Sequence, residues 1–97
     1  MALRTSNLYG KIIITKKAIR AVITATAAES YGVAWAKSGA LTTTNNRIIA
    51  RVKIVLKFGV SVDAVIESVR NAVKYNVEKF TGMIVECVNI DVLAITN

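Results

Sequence analysis

Between Arg47 and Phe58 apolar and polar positions alternate with period two. Ile48, Ala50, Val52, Ile54, Leu56 and Phe58 fall on one side, and Arg47, Ile49, Arg51, Lys53, Val55 and Lys57 on the other. Side chains alternate faces along a strand, so the pattern predicts a strand with a buried even set and a mostly cationic outward set. Gly59-Val60-Ser61 then turns the chain, and a serine there caps a helix by accepting a hydrogen bond from a first-turn amide. Val62, Ile66, Val69, Val73, Val77 and Phe80 come next at helical spacing, widened by Val65 and Ala72. They predict a long helix with one core-facing stripe. Gly82 ends it, where a left-handed backbone is usually required.

The first half repeats the scheme. Gly10 to Thr15 reads as a short strand around Ile12, Ile13 and Ile14, and Thr15 is the N-cap of the next helix. From Lys16 to Ser30, Ile19, Val22, Ile23 and Thr26 share a helical face, thickened by Ala18, Ala25 and Ala27. Tyr31-Gly32 stops this helix, with Tyr31 read as its cap. Val33 to Lys37 is a second strand, and its Trp35 reads as core. Ser38 to Asn46 is polar and rich in turn formers, so residues 38–46 are expected to be a loop closing a hairpin onto the long strand. Met83 to Thr96 is the last strand, with Ile84, Val88, Ile90, Val92 and Ala94 on its apolar side.

The element order is therefore β-α-β-β-α-β in one domain over residues 1–97, with a short tail at 1–9. The expected fold class is α+β: a two-layer domain of split β-α-β topology, its antiparallel sheet carrying two helices on one face. The open face is expected to hold Lys11, Ile13, Arg51, Lys53, Val55 and Lys57, then Val85, Cys87, Asn89, Asp91 and Leu93. A half-apolar face of this kind is often covered by another subunit. Val55, Val85 and Leu93 are accordingly the candidates for self-association.

Charge changes the picture because it is uneven. The chain carries +7, but residues 1–57 hold ten Lys/Arg and one acid, a balance of +9, while residues 58–97 stand at −2. Such asymmetry points to an anionic partner for the first half: nucleic acid, lipid headgroups or an acidic protein. The candidate anion- or partner-binding residues are Lys16, Lys17, Arg20, Arg47, Arg51, Lys53 and Lys57. Lys16 and Lys17 sit in a helix's first turn, where cations oppose its dipole.

Catalytic chemistry is thin. There is no histidine, the commonest general base and metal ligand. Asp63 and Glu67 lie one turn apart near a helix start, which the helix dipole explains. Cys87 is the single cysteine, without an imidazole to activate it. The glycines are scattered at turns rather than gathered in a phosphate loop. The expectation is a protein that is not an enzyme and has no cofactor or metal. A lone cysteine fits a reducing compartment, no apolar run nears the roughly 20 residues of a membrane span, and Met1-Ala2-Leu3-Arg4 does not open a signal peptide. The location read from this is cytoplasmic. Sheet-based RNA readers place stacking aromatics on their central strands; here the long strand has only Phe58 at its end, which leaves phosphate contacts alone.

Gly10-Lys11-Ile12-Ile13-Ile14 before a helix, Tyr31-Gly32-Val33 after it, Phe58-Gly59-Val60 before the long helix, and Thr81-Gly82-Met83 leading to Val88-Asn89-Ile90-Asp91-Val92 resemble the alkaline shock protein family of bacterial envelope stress response proteins. The resemblance covers about residues 10–95. It implies a cytoplasmic, non-catalytic protein that self-associates, lies peripheral to the membrane through a membrane-anchored partner, and supports envelope homeostasis. It brings no active site; the matching Gly32, Gly59 and Gly82 are turns, and Val69 and Val73 are core. This chain departs from the family in being basic rather than acid-rich and in a shorter 38–46 segment. A basic member has two routes to a partner: direct contact with anionic lipid, or, as the alternative function, a nucleic-acid- or ribosome-associated module.

Overall fold

The computed structural model describes residues 15–97, so the tail at 1–9 and the strand expected from residue 10 lie outside the described residues. The elements are α1 (Lys16–Ala28), β1 (Val33–Thr44), β2 (Arg47–Lys57), α2 (Val62–Thr81) and β3 (Ile84–Thr96). The class is α+β, with both helices feeding one core against one side of a three-stranded sheet of order β1-β2-β3.

The sheet is mixed, not antiparallel as the sequence pattern implies. β1 pairs with β2 antiparallel, but β3 pairs with β2 in parallel, from Arg47↔Ile84 to Lys57↔Thr96. The cause is the helical crossover: a strand followed by a helix of this length returns to lie parallel beside its predecessor. Both edges of β2 are thereby taken, so no strand can be interleaved there as the split topology requires.

β2 keeps to its period. Ile48, Ala50, Val52, Ile54 and Leu56 are all but inaccessible, and they meet Ile19, Ile23 and Ala27 of α1 and Val65, Val69, Val73 and Val77 of α2. Each fully buried valine, leucine or isoleucine among them contributes about 1.5–3 kcal/mol by removal from water. Local signals fix both helix starts. Thr15 accepts from the Ala18 amide at 3.1 Å and Ser61 from the Ala64 amide at 3.4 Å. Gly82 adopts φ 75° and donates its N–H to the Glu78 carbonyl at 2.8 Å.

The two edge strands depart from simple alternation because each carries extra residues relative to β2. β1 has one between Val33 and Trp35 and another between Ser38 and Leu41. The first puts Val33 in the core and turns Trp35 out beside Val55, so Trp35 is 45% exposed rather than core. Tyr31 is likewise exposed and does not cover the helix end. The 38–46 segment is not a loop: β1 continues to Thr44, and only Asn45-Asn46 turns, at φ 49° and 67°. Asparagine tolerates left-handed backbone, and a two-residue turn with both residues there matches the twist of a hairpin. Phe58 lies beyond the end of β2 and is exposed, not on the apolar face.

In β3, Ile48↔Val85 is followed by Ile49↔Cys87, so Glu86 is the inserted residue. An insertion of one residue flips the parity of a strand. Val85 is consequently core at 2% exposure, and Ile84 faces out; the sequence pattern implies the reverse. A second insertion, Leu93, falls between Ile54↔Val92 and Val55↔Ala94.

Candidate interaction surface

The face of the sheet away from the helices is built by β2's outward set and its partners in register. Across it the rows are Thr44, Arg47 and Ile84; Thr42, Ile49 and Cys87; Arg51 and Asn89; Lys37, Lys53 and Asp91; Trp35, Val55 and Ala94; and Lys57 with Thr96. Four of the seven cations expected from sequence, Arg47, Arg51, Lys53 and Lys57, do share this face. Lys37, which the sequence pattern does not single out, joins them through its pairing with Lys53. Lys16, Lys17 and Arg20 do not: they are exposed on α1, in the other layer.

Charge on this face is only partly balanced. Arg51 Nη1 meets both Asp91 oxygens, at 3.0 and 3.2 Å. The pair is half exposed, and such pairs contribute about 0–1 kcal/mol. Among the described residues the other ion pairs engage Arg70 with Glu67 and Lys74 with Glu78, both on α2. Lys37, Arg47, Lys53 and Lys57 enter none. Lys37 and Lys53 stand directly opposite each other across the hairpin, an arrangement of like charges that weakens a sheet.

The two ends of the face differ. At the Lys57 end Trp35 lies beside Val55, with the inserted Leu93 next in register on the far strand, 55% exposed. At the hairpin end Thr42, Thr44, Asn45, Arg47, Ile49 and Glu86 surround a shallow depression of about 160 Å³. Of the three self-association candidates, Val55 is half-buried on the face, Leu93 is exposed at its edge, and Val85 is in the core. Cys87 is exposed, with Sγ 3.5 Å from Asn89 Oδ1. Among the described residues, no group of three or more His, Cys, Asp or Glu side chains comes together to hold a metal ion.

Trp35 and Lys37 could not be placed from sequence because the insertion after Val33 decides which way both point, and no residue type marks it. The other long edge is β3, where Val92, Leu93 and Ile95 are all exposed. Its start is anchored: the Val85 amide donates to Glu78 Oε2 at 3.0 Å, and Lys74 Nζ reaches the same oxygen at 2.6 Å. Those two contacts, the Lys74 hydrogen bond first, hold the Glu78 carboxyl below the usual carboxylate range. No helix among the described residues is long and apolar enough to cross a membrane.

Residues 36–97 match the model of the alkaline shock protein 23 family, described by a cell envelope-related function. No curated protein matches the chain by sequence. Among solved structures, a copper form of a single-substitution variant of the MamM CTD is similar, with a TM-score of 0.61 and 19% identity, covering 82% of this chain and 98% of that one. At that identity the likeness is one of fold.

Proposed function

The chain belongs to the alkaline shock protein 23 family, whose function is cell envelope-related, and on that premise we propose that it is a non-catalytic scaffold of the envelope. In this reading it works on the cytoplasmic side, peripheral to the membrane, by joining copies of itself and a membrane-anchored partner protein.

The observation that carries the reading is the outer edge of β3, with which no other strand among the described residues pairs. Alternate amides and carbonyls of an edge strand lack partners and are a template for another strand. Val92 to Thr96 carries no charge, and Val92, Leu93 and Ile95 are exposed at 36, 55 and 53%. β1, the opposite edge, turns one of its amides inward: the Ser38 N–H donates to Thr24 Oγ1 of α1 at 3.0 Å. Two copies joined antiparallel along β3 would be related by a two-fold axis normal to the sheet. Their open faces would then lie side by side. Self-association therefore belongs to the edge that Leu93 occupies. Light scattering tests this: the wild type is expected to be a dimer or larger at high micromolar concentration, and Leu93→Lys to shift it to the monomer. A monomeric wild type overturns the reading.

The alternative, a nucleic-acid- or ribosome-associated module, draws on the same cations. Among the described residues it finds no row of aromatics on the open face for bases to stack on.

A further inference from the structure

The geometry points to the open sheet face as a docking surface for an anionic phospholipid bilayer, with its cations at headgroup phosphates and Trp35 at the interface. This goes beyond the scaffold reading, because it assigns a face, a ligand class and residues that self-association does not use.

Charge comes first. Lys37, Arg47, Arg51, Lys53 and Lys57 stand against Asp91 and Glu86 on this side of the sheet. Asp91 is already engaged by Arg51. The facing lysines, Lys37 and Lys53, repel each other in the free protein. A surface of phosphates placed over them removes that repulsion, so the arrangement gains most from an anionic partner. Shape agrees. β2 holds its outward cations over a stretch of about 33 Å, with neighbouring strands about 4.8 Å to either side. That makes a surface three strands wide rather than a cleft, suited to a plane of headgroups.

The apolar residues separate lipid from nucleic acid. Trp35 pairs with Val55 at one end, and Ile49 is 40% exposed near the other. Aliphatic side chains offer bases no stacking platform, but they bury favourably at the boundary between headgroups and acyl chains. Tryptophan prefers that boundary, and lysines on apolar stems keep their ammonium groups at phosphate level while the stems lie deeper.

The test uses the protein's only tryptophan as reporter on the face in question. Full-length protein is mixed with vesicles of phosphatidylglycerol and phosphatidylcholine, or of phosphatidylcholine alone, at two salt concentrations. Sedimentation and Trp35 emission are followed together. The expected result is binding to the anionic vesicles only, weakened by salt, with a blue shift of Trp35 emission and quenching by brominated lipid. Each cation near an anionic surface contributes about fivefold in partitioning, so Lys37→Gln with Lys53→Gln should lower it about 25-fold. That double variant also relieves the like-charge pair, so it should unfold no more easily than the wild type. Failure to bind anionic vesicles at low salt overturns the proposal, and so does binding that leaves Trp35 emission unchanged or is indifferent to the double variant. Binding to single-stranded RNA without vesicle binding assigns the face to nucleic acid instead. None of these outcomes alters the mass by light scattering, so the scaffold reading and the lipid surface fail separately.

Discussion

Among the described glycines, Gly32 is the one where a single added methyl group should cost most. It connects α1 to β1 at φ 84°, and its carbonyl accepts the Lys57 amide at 2.9 Å, continuing the hairpin ladder. A β-carbon built there would lie 2.8 Å from Val65 Cγ2 and 3.3 Å from Val60 Cγ1. Val65 is 4% exposed on the first turns of α2, and a β-branched side chain in a helix has one strongly preferred rotamer. It cannot swing away. Gly32→Ala therefore incurs a left-handed backbone penalty of about 1–2 kcal/mol and overpacking of about 1–3 kcal/mol. Gly82 separates the two terms. Its φ is 75°, but nothing lies within 4 Å of an added β-carbon, so Gly82→Ala should cost only the backbone penalty. Urea unfolding of both variants gives the comparison, provided the denaturant slope is unchanged. Val65→Ala removes the obstructing methyl, so Gly32→Ala with Val65→Ala should cost less than the sum of the single changes, by about 0.5–3 kcal/mol. Equal costs at Gly32 and Gly82, or strict additivity with Val65→Ala, would refute the close approach of α2 to this corner.

Val85→Ala should destabilise by about 2 kcal/mol, two lost methyl groups plus an incompletely collapsed cavity, and leave the oligomeric mass unchanged; a mass change without destabilisation would return Val85 to the surface. Glu78→Gln should make stability less dependent on acid. The Glu78 carboxyl is held below its ordinary value of 4.5 by Lys74 and the Val85 amide, so its contribution is present above that pH and is lost as the pH falls through the depressed value. The wild type should therefore exceed the variant in Tm near neutrality, with the gap closing in acid. A gap that stays constant across that range would mean that the carboxylate charge plays no part.

The legible parts of this fold are those whose signal is local. The alternation of β2, the stripe of α2, the Thr15 and Ser61 caps and the left-handed Gly82 all arise from a few neighbouring residues. The illegible parts depend on matching one strand against another. β2 is the regular strand, and each insertion in β1 and β3 is defined only relative to it. Nothing in Val33-Ala34-Trp35 or in Val85-Glu86-Cys87 identifies the extra residue, yet each insertion reverses which neighbours face the core. That is why Trp35 lies at the surface and Val85 in the interior. The hairpin is closer to readable: Asn45-Asn46 is a pair suited to a two-residue turn, and Thr42, Thr43 and Thr44 favour strand. The polar character of residues 38–46 masks that signal. For the surface, β2's row of cations is visible in its period, whereas the contribution of Lys37 and the separation of Lys16, Lys17 and Arg20 need the third dimension.

The scaffold account turns on which edge of the sheet receives a second copy, and amide hydrogen exchange at two protein concentrations measures that directly. Among the described residues no strand pairs with the outer edge of β3, so its outward amides should exchange freely in a monomer but not in a strand pair. Raising the concentration should slow exchange in peptides covering residues 91–96 and leave those covering residues 36–44 of β1 unchanged. Exchange that is independent of concentration along β3, or that slows along β1 instead, would contradict it.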